Sequence, residues 1–327
     1  MPNGLVAVDM TQPVTPLTAT YVSADAHGDE NVLQLRQEEL PPPGPGQVRL
    51  VVKAIGVNPV DLKIRQGMRG RGPVPFRLGA EVAGVVEAVG PDVSTVAVGD
   101  EVIAFRVDGG YASALLVPAD DVVPKPASLP WSEAAGLLLA GATAIHTLEA
   151  TGVGEGDVVL LHGAAGAVGQ AVIQLAVDRG ARVIGTASPR NHDLLRELGA
   201  YPIAYGEGLR ERVAAAAEEV GEPTAAIDAA GTDEALALSL ALVERERIAT
   251  IMVRPAAIES GIKALGGGPG ADPGTEIRAA ARAPLAQLAR EGRLKVRVVK
   301  ELPLAEVREA HRFVAENHAA GKVVLLP

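Results

Sequence analysis

Hydrophobic and polar positions along this chain change rhythm once, near its middle. Up to about residue 126, short apolar runs alternate with polar positions and are cut by Pro and Gly. QVRLVVKAI (47–55), EVAGVVEAV (81–89) and EVIAFR (101–106) read as strands, the last two joined by the turn-rich GPDVSTVAVGD. Many short strands of this kind predict a partly open, β-barrel-like unit. After PKPASLP the period becomes helical from 131 to 150, with Ala and Leu recurring at three- and four-residue spacing. Continuous apolar strands then alternate with helices. Strands are expected at 158–162, 182–187, 225–229 and 247–253, with helices at 168–178 and 192–198, the latter stopped by Gly199. That alternation predicts a doubly wound parallel sheet. GGGPGADPG (266–274) reads as a loop. A helix (276–291), a strand (295–299) and a helix (304–318) follow, then GKVVLLP.

Composition narrows the function. The chain has 327 residues, 48% of them apolar, enough for two domains with sizeable cores. Its formal net charge of -10 argues against nucleic acid and against an anionic membrane surface. No apolar run reaches the roughly 18 residues of a spanning helix. The opening MPNGLVAVDMTQPVTP lacks the basic start and long apolar stretch of a signal peptide and is expected to be a flexible tail. There is no cysteine, which excludes disulfides, thiol catalysis and any Cys-ligated zinc or iron–sulfur site. Six histidines remain, at 27, 146, 162, 192, 311 and 318, with no HxH or HExxH pair, so no metal site is expected. A cytoplasmic location follows by default.

The strongest chemical signal is VVLLHGAAGAVGQAVIQLA. An apolar strand runs into Gly163-Ala164-Ala165-Gly166-Ala167-Val168-Gly169 and a helix follows at once. Small residues let the backbone approach a pyrophosphate, whose charge then sits at the positive end of the new helix. A second strand follows about 20 residues on, the order a dinucleotide site requires. The alternative is an ordinary strand–helix turn that needs glycine for packing. The second strand ends in VIGTASPRNHD, with no acidic residue before Asp193 to bond a ribose 2′-hydroxyl. Ser188, Arg190 and Asn191 there suit a 2′-phosphate, so NADPH is expected rather than NADH. Arg190 as a plain loop cation is the alternative.

These segments resemble one family in order. Gly56-Val-Asn-Pro-Val-Asp-Leu-Lys-Ile-Arg-Gln-Gly67, LGAEVAGVVEAVG, VGDEVIAF, GGYASALLVP, AAGLLLAGATAIHTL, HGAAGAVGQ, GTASPRN and GKVVLL are similar to the zinc-independent quinone oxidoreductase branch of the medium-chain dehydrogenases/reductases, near the alkenal/enone reductases. The resemblance implies an α/β fold with a Rossmann NADPH-binding domain (138–267) inserted in a GroES-like catalytic domain (16–137 and 268–327), behind a tail at 1–15. It implies an interdomain cleft and a homodimer joined through the cofactor sheets. By position, Asn58 and Asp61 line the nicotinamide side of that cleft and Thr143 lies beside the nicotinamide. Ser188 and Asn191 meet the 2′-phosphate, and Tyr205 the adenosine phosphate. Ala167 replaces the usual second glycine of the turn, Asn191 the usual lysine, and Glu81 the usual aspartate. The proton-donor tyrosine of enoyl-thioester reductases has no counterpart in DLKIRQGM.

The expected reaction is hydride transfer to a small-molecule quinone or α,β-unsaturated carbonyl, acceptors electron-poor enough to need no Lewis acid. Asn58, Lys63 and Thr143 are candidate donors to the developing oxyanion. Each has a plainer reading: Asn58 before Pro59 fits a turn, and Asp61 with Lys63 fits a solvated pair. Tyr111, His146 and His162 read as packing residues. A free-standing enoyl-thioester reductase and a non-catalytic NADPH-binding sensor are the competing functions.

Overall fold

The computed structural model describes residues 15–69, 73–316 and 320–327. The tail expected at 1–15 lies outside the described residues except for Thr15. Two large sheets organise the fold, with a smaller three-stranded one (Leu33–Leu40, Leu17–Ala24, Phe76–Arg77) beside the first.

The first large sheet has seven strands. Gln47–Val57 is its spine, pairing antiparallel with Glu81–Val89, with Ala114–Pro118 and with the C-terminal strand Lys322–Leu326. Glu101–Phe105 and Val122–Pro124 extend one side, and Val298–Pro303 pairs parallel with Lys322–Leu326 on the other. Both ends of the chain therefore build one sheet. Its register gathers polar residues. Ile55 faces Val82 and Val57 faces Val323, so Asn58, Glu81 and Lys322 emerge together at one end of three neighbouring strands.

The second sheet is parallel, in the order Tyr201–Ile203, Arg182–Thr186, Val158–His162, Ala225–Asp228, Ile248–Thr250, Lys263–Ala264. All five residues of Val158–His162 are buried, as a strand covered by helices on both faces requires. From this strand the chain first adds strands on one side and later on the other. Its C-terminal end is thus the topological switch point where doubly wound sheets bind ligands. The architecture is the α/β, Rossmann-plus-GroES-like fold.

Several elements differ from the sequence pattern. The helix expected at 131–150 is two, Trp131–Ala134 and Leu138–Thr151, because Gly136 lies against Val296 and Lys322 where a Cβ would meet side chains at 2.9–3.0 Å. The helix expected at 276–291 is broken at Ala281 into Thr275–Ala280 and Arg282–Arg290. The strand expected at 295–299 is Val298–Pro303, beginning where a partner, Lys322, becomes available. The final helix is Val307–Glu316 after a 3-10 turn at Leu304–Glu306; its expected end at 317–318 lies outside the described residues.

Arg49 holds the first sheet to its surroundings. Its side chain is fully buried, pairs with both oxygens of Glu87 (2.6 and 3.0 Å), and donates to the carbonyls of Thr15, Leu40 and Pro41. Removing the guanidinium leaves these acceptors stranded, so Arg49→Met should destabilise the fold by about 3 kcal/mol. Urea unfolding measures this. A loss below about 1 kcal/mol would make the pair no more than a surface bridge.

Candidate functional site

The expected phosphate turn stands at the switch point. Gly163 has φ +75°, a conformation open to glycine, and a Cβ there would lie 2.9 Å from the backbone of Ala229. Gly169 has no room for a side chain either, since a Cβ would meet the carbonyls of Gly163 and Ala164 at 2.5 and 2.6 Å. Gly166 caps the Ala167–Asp178 helix. Ala167 is accommodated as the first residue of that helix. The turn is pinned from the next strand, Ala164 N–H donating to the Thr186 carbonyl (3.1 Å) and Gly163 N–H to Thr186 Oγ1 (3.3 Å). It is braced from the other side by Asp228, which sequence reasoning missed. Its Oδ1 accepts from the amides of Ala230 and Gly231 and its Oδ2 from Thr250 Oγ1. Small backbone, free helix N–H groups and a fixed turn make a cradle that fits a dinucleotide pyrophosphate.

Ser188, Arg190 and Asn191 lie on one 3-10 turn just past Arg182–Thr186, with Asn191 Nδ2 donating to Ser188 Oγ at 3.1 Å. Arg190 is exposed. Ala187 N–H bonds the Ile203 carbonyl, so the segments leading to Ser188 and to Tyr205 leave the sheet side by side; Tyr205 is 58% exposed. The structure brings these four together at one edge.

Asn58, Asp61, Lys63 and Thr143 fall on two elements that meet. Asn58 caps the Pro59–Arg65 helix, its backbone N–H donating to Asp61 Oδ2 at 2.9 Å, the reciprocal half of a capping box. The side chain of Asn58 is buried and fully engaged. Nδ2 donates to Glu81 Oε1 (3.1 Å) and to the Gly56 carbonyl (3.3 Å), while Oδ1 accepts from Lys322 Nζ (2.7 Å). Lys322 Nζ also pairs with Glu81 Oε1, and Glu81 Oε2 accepts from the Leu139 amide at 2.8 Å. Through Leu139 this cluster reaches the start of the Leu138–Thr151 helix. One turn on, Thr143 is buried, its hydroxyl donating to the Leu139 carbonyl at 2.8 Å. A shallow recess opens beside the cluster, lined among others by Leu137, Gly141, Ala167, Gln170 and Lys322. It joins the start of the phosphate-turn helix to the buried ion pair.

Asp61 lies behind the cleft rather than in it. It is completely buried, and burial pushes its carboxyl up to about 6 against the hydrogen bonds from Asn58 and Tyr111. A chain of buried groups backs it. Arg65 Nη1 donates to His311 Nδ1 (3.2 Å), which leaves the other ring N–H to donate to the Tyr111 hydroxyl (3.0 Å), which donates to Asp61 Oδ2 (3.1 Å). Burial, with Arg65 adding, pushes His311 down to about 3, so its imidazole is neutral in this chain. The chain spans three distant segments and left no sequence signal beyond Asp61. Lys63 is half-buried and makes no side-chain hydrogen bond among the described residues; burial and then Arg69 hold its ammonium below its usual range. His162, at the end of its strand, is buried with Nε2 unbonded among the described residues.

Two outcomes are expected. The folded state holds the Asp61 proton more tightly than the unfolded chain, so this contribution to stability is complete below about pH 4 and is lost as the pH rises through about 6. Its size is on the order of 3 kcal/mol, and Asp61→Asn should flatten the melting temperature over that window; an unchanged slope counts against a proton held there. Gly169→Ala should abolish dinucleotide binding by forcing the turn apart, as read by fluorescence titration. Retained affinity would show that the cradle lies elsewhere.

Comparisons with known proteins agree with this geometry. The family model for the alcohol dehydrogenase GroES-like domain matches residues 44–127, and that for zinc-binding dehydrogenase residues 198–325. The chain is 38% identical to the quinone oxidoreductase of Mus musculus over 181 residues, 54% of this chain and 55% of that protein. It is 44% identical to a polyketide synthase of Streptomyces halstedii over 155 residues, 47% of this chain and 3% of the synthase. The matches thus span about half or less of the curated relatives' length. A mycobacterial quinone oxidoreductase superposes with a TM-score of 0.77 at 30% identity, covering 94% of this chain and 100% of the other. A mycobacterial structure complexed with NADPH does so at 0.79 and 29%, with the same coverage. With a phosphate cradle at the switch point and both chain ends in one antiparallel sheet, this chain belongs to the medium-chain dehydrogenase/reductase family.

Proposed function

We propose that this protein is an NADPH-dependent reductase that moves hydride onto a quinone or an α,β-unsaturated carbonyl without zinc. The observation that carries it is the pairing of the Gly163–Gly169 cradle with a cleft whose centre is a protein ion pair, Glu81 with Lys322, rather than a set of metal donors.

Zinc does not fit this chain. It has no cysteine, and among the described residues no three His, Cys, Asp or Glu side chains are grouped to hold a metal. We therefore derive no step through a metal. NADPH fits. Gly163 to Gly169 would hold its pyrophosphate, Ser188, Arg190 and Asn191 its 2′-phosphate, and Tyr205 would lie near the adenosine phosphate. A mycobacterial relative is described with NADPH bound, and the chemistry this cofactor supplies is a hydride for an electron-poor carbon.

The chain's own residues then divide the remaining work. Asn58, with both amide hydrogens engaged, is a positioning residue that fixes Glu81 and Lys322. Asp61 holds the short helix in place from behind. Lys63 is the available cation on that helix and stabilises the oxyanion as charge develops. Thr143, anchored to Leu139, would lie beside the nicotinamide. The final proton comes from solvent. In this reading the protein is a homodimer.

An enoyl-thioester reductase is the second reading, supported by the 44% identity to part of a polyketide synthase. A non-catalytic NADPH sensor is the third, and turnover separates it from both. The test follows NADPH oxidation by absorbance with 9,10-phenanthrenequinone, a cyclic enone and an enoyl thioester, each repeated with NADH. Turnover of quinone or enone with NADPH ahead of NADH is expected. Arg190→Ala should raise the KM for NADPH about tenfold and leave that for NADH unchanged. NADPH binding without oxidation of any acceptor would overturn the reading in favour of a sensor.

A further inference from the structure

Near the helix that carries Thr143 lies a cluster of arginines that the proposed reaction does not use. His146, one turn on from Thr143, is fully buried against the 266–274 loop. Its Nε2 pairs with Asp272 Oδ2 at 3.2 Å and its Nδ1 accepts from Arg278 Nε at 3.3 Å. Gly274 is required there, since a Cβ would lie 2.3 Å from the imidazole ring. Arg69, just past the helix that carries Asp61 and Lys63, reaches the same loop. A Cβ on Gly266 would lie 3.8 Å from Arg69 Nη2 and 4.0 Å from Arg278 Nη2, so the two guanidinium groups flank that glycine. A Cβ on Gly267 would lie 2.8 Å from Arg69 Nη1.

Arg106 completes the set. It follows the Glu101–Phe105 strand with φ +69°, a strained conformation for a non-glycine residue. Its charge and that of Arg69 join burial in lowering Arg278, to about 10. Among the described residues neither Arg69 nor Arg106 has a carboxylate partner. Asp272 is the nearby acid, and it is already committed to His146 and to the Gly274 amide. Three like charges gathered around one carboxylate, Asp272, repel one another, and a chain of net charge -10 has carboxylates to spare for further pairing. Such a gathering favours an anion in its midst.

The anion is not a phosphate of the dinucleotide's adenosine end. Ser188, Arg190 and Asn191 follow Arg182–Thr186 on one side of Val158–His162, whereas the 266–274 loop leaves Lys263–Ala264, the edge strand on the other side. The two basic sets lie on opposite flanks of the sheet. We propose that the acceptor carries an oxyanion, carboxylate or phosphate, which Arg69, Arg106 and Arg278 hold at the mouth of the cleft while its electron-poor double bond lies towards Lys63 and Thr143. This rests on the reductase reading.

Two matched pairs of acceptors test it. One is 4-oxo-2-pentenoate with its methyl ester; the other is crotonyl-coenzyme A with the neutral N-acetylcysteamine thioester of crotonate. Each is assayed as substrate and as competitive inhibitor of quinone turnover. The charged member of at least one pair should bind about tenfold more tightly, and which pair does so separates carboxylate from phosphate. Arg69→Gln should remove that preference while leaving NADPH affinity unchanged, and Arg69→Lys should restore part of it. Arg106→Gln, on an exposed position, should show the same loss and guards against a folding defect at Arg69. Equal affinity within both pairs in the parent protein, with quinone still reduced, overturns this inference alone. Absence of turnover with every acceptor, quinone included, overturns the reductase reading and this inference together.

Discussion

A buried ammonium–carboxylate pair, Lys322 with Glu81, is the constraint on which the rest of this cleft depends. Taking two charges out of water costs several kcal/mol each, and only close contact with further hydrogen bonds returns it. Here those bonds are supplied by Asn58, whose Nδ2 donates to Glu81 and whose Oδ1 accepts from Lys322, and by the Leu139 amide on the second oxygen of Glu81. Gly56 makes the arrangement possible, because a Cβ there would sit 2.4 Å from Glu81 Oε1. The pair therefore joins the last strand, the spine strand, its neighbour and the first turn of the Leu138–Thr151 helix. Any shift of the two sheets that separated these elements would leave a charge buried and alone. A cleft that must hold two reactants at contact distance needs that kind of rigidity.

Behind the pair, the chain from Arg65 through His311 and Tyr111 to Asp61 does for the short capping helix what the ion pair does for the strands. Its polarity is set from one end. Arg65 can only donate, so His311 must accept on Nδ1 and donate on Nε2, and the Tyr111 hydroxyl must donate to Asp61. Asp61 in turn accepts from the backbone of Asn58, the residue that fixes the ion pair. The final helix, through His311, is thus coupled to the cleft without lining it.

How much of this could be read from the sequence depends on how far apart the partners lie. The phosphate turn was legible because strand, Gly163–Gly169 turn and helix are consecutive, and the predicted strand at 158–162 has the bounds observed. The alternation of strands and helices likewise sufficed for the parallel sheet. Asn58 and Asp61 were legible as a motif, but their duties were not: each acts through a partner elsewhere in the chain. Glu81 and Lys322 are 241 positions apart, and no local pattern couples them. Arg69, Arg106 and Arg278 come from three separate loops and helices. Element ends failed for a related reason. The break at Gly136 and the late start of Val298–Pro303 are both set by Lys322, a tertiary contact that overrides the local period.

The distribution of charge ties these observations together. The protein as a whole is acidic, yet it gathers Lys63, Arg69, Arg106 and Arg278 in one region and carries Arg190 on the far flank of the sheet. Positive charge concentrated between low-dielectric walls, against a negative exterior, focuses the field into the opening and draws anions there. It also has a cost, since each unpaired cation lowers the ease with which its neighbour stays charged, as burial and the other arginines do to Arg278. A bound oxyanion reverses that cost. On the proposed reading those same charges make the cleft selective, and Lys63, a few residues before Arg69 on the same short helix and turn, would meet the oxyanion that hydride transfer creates.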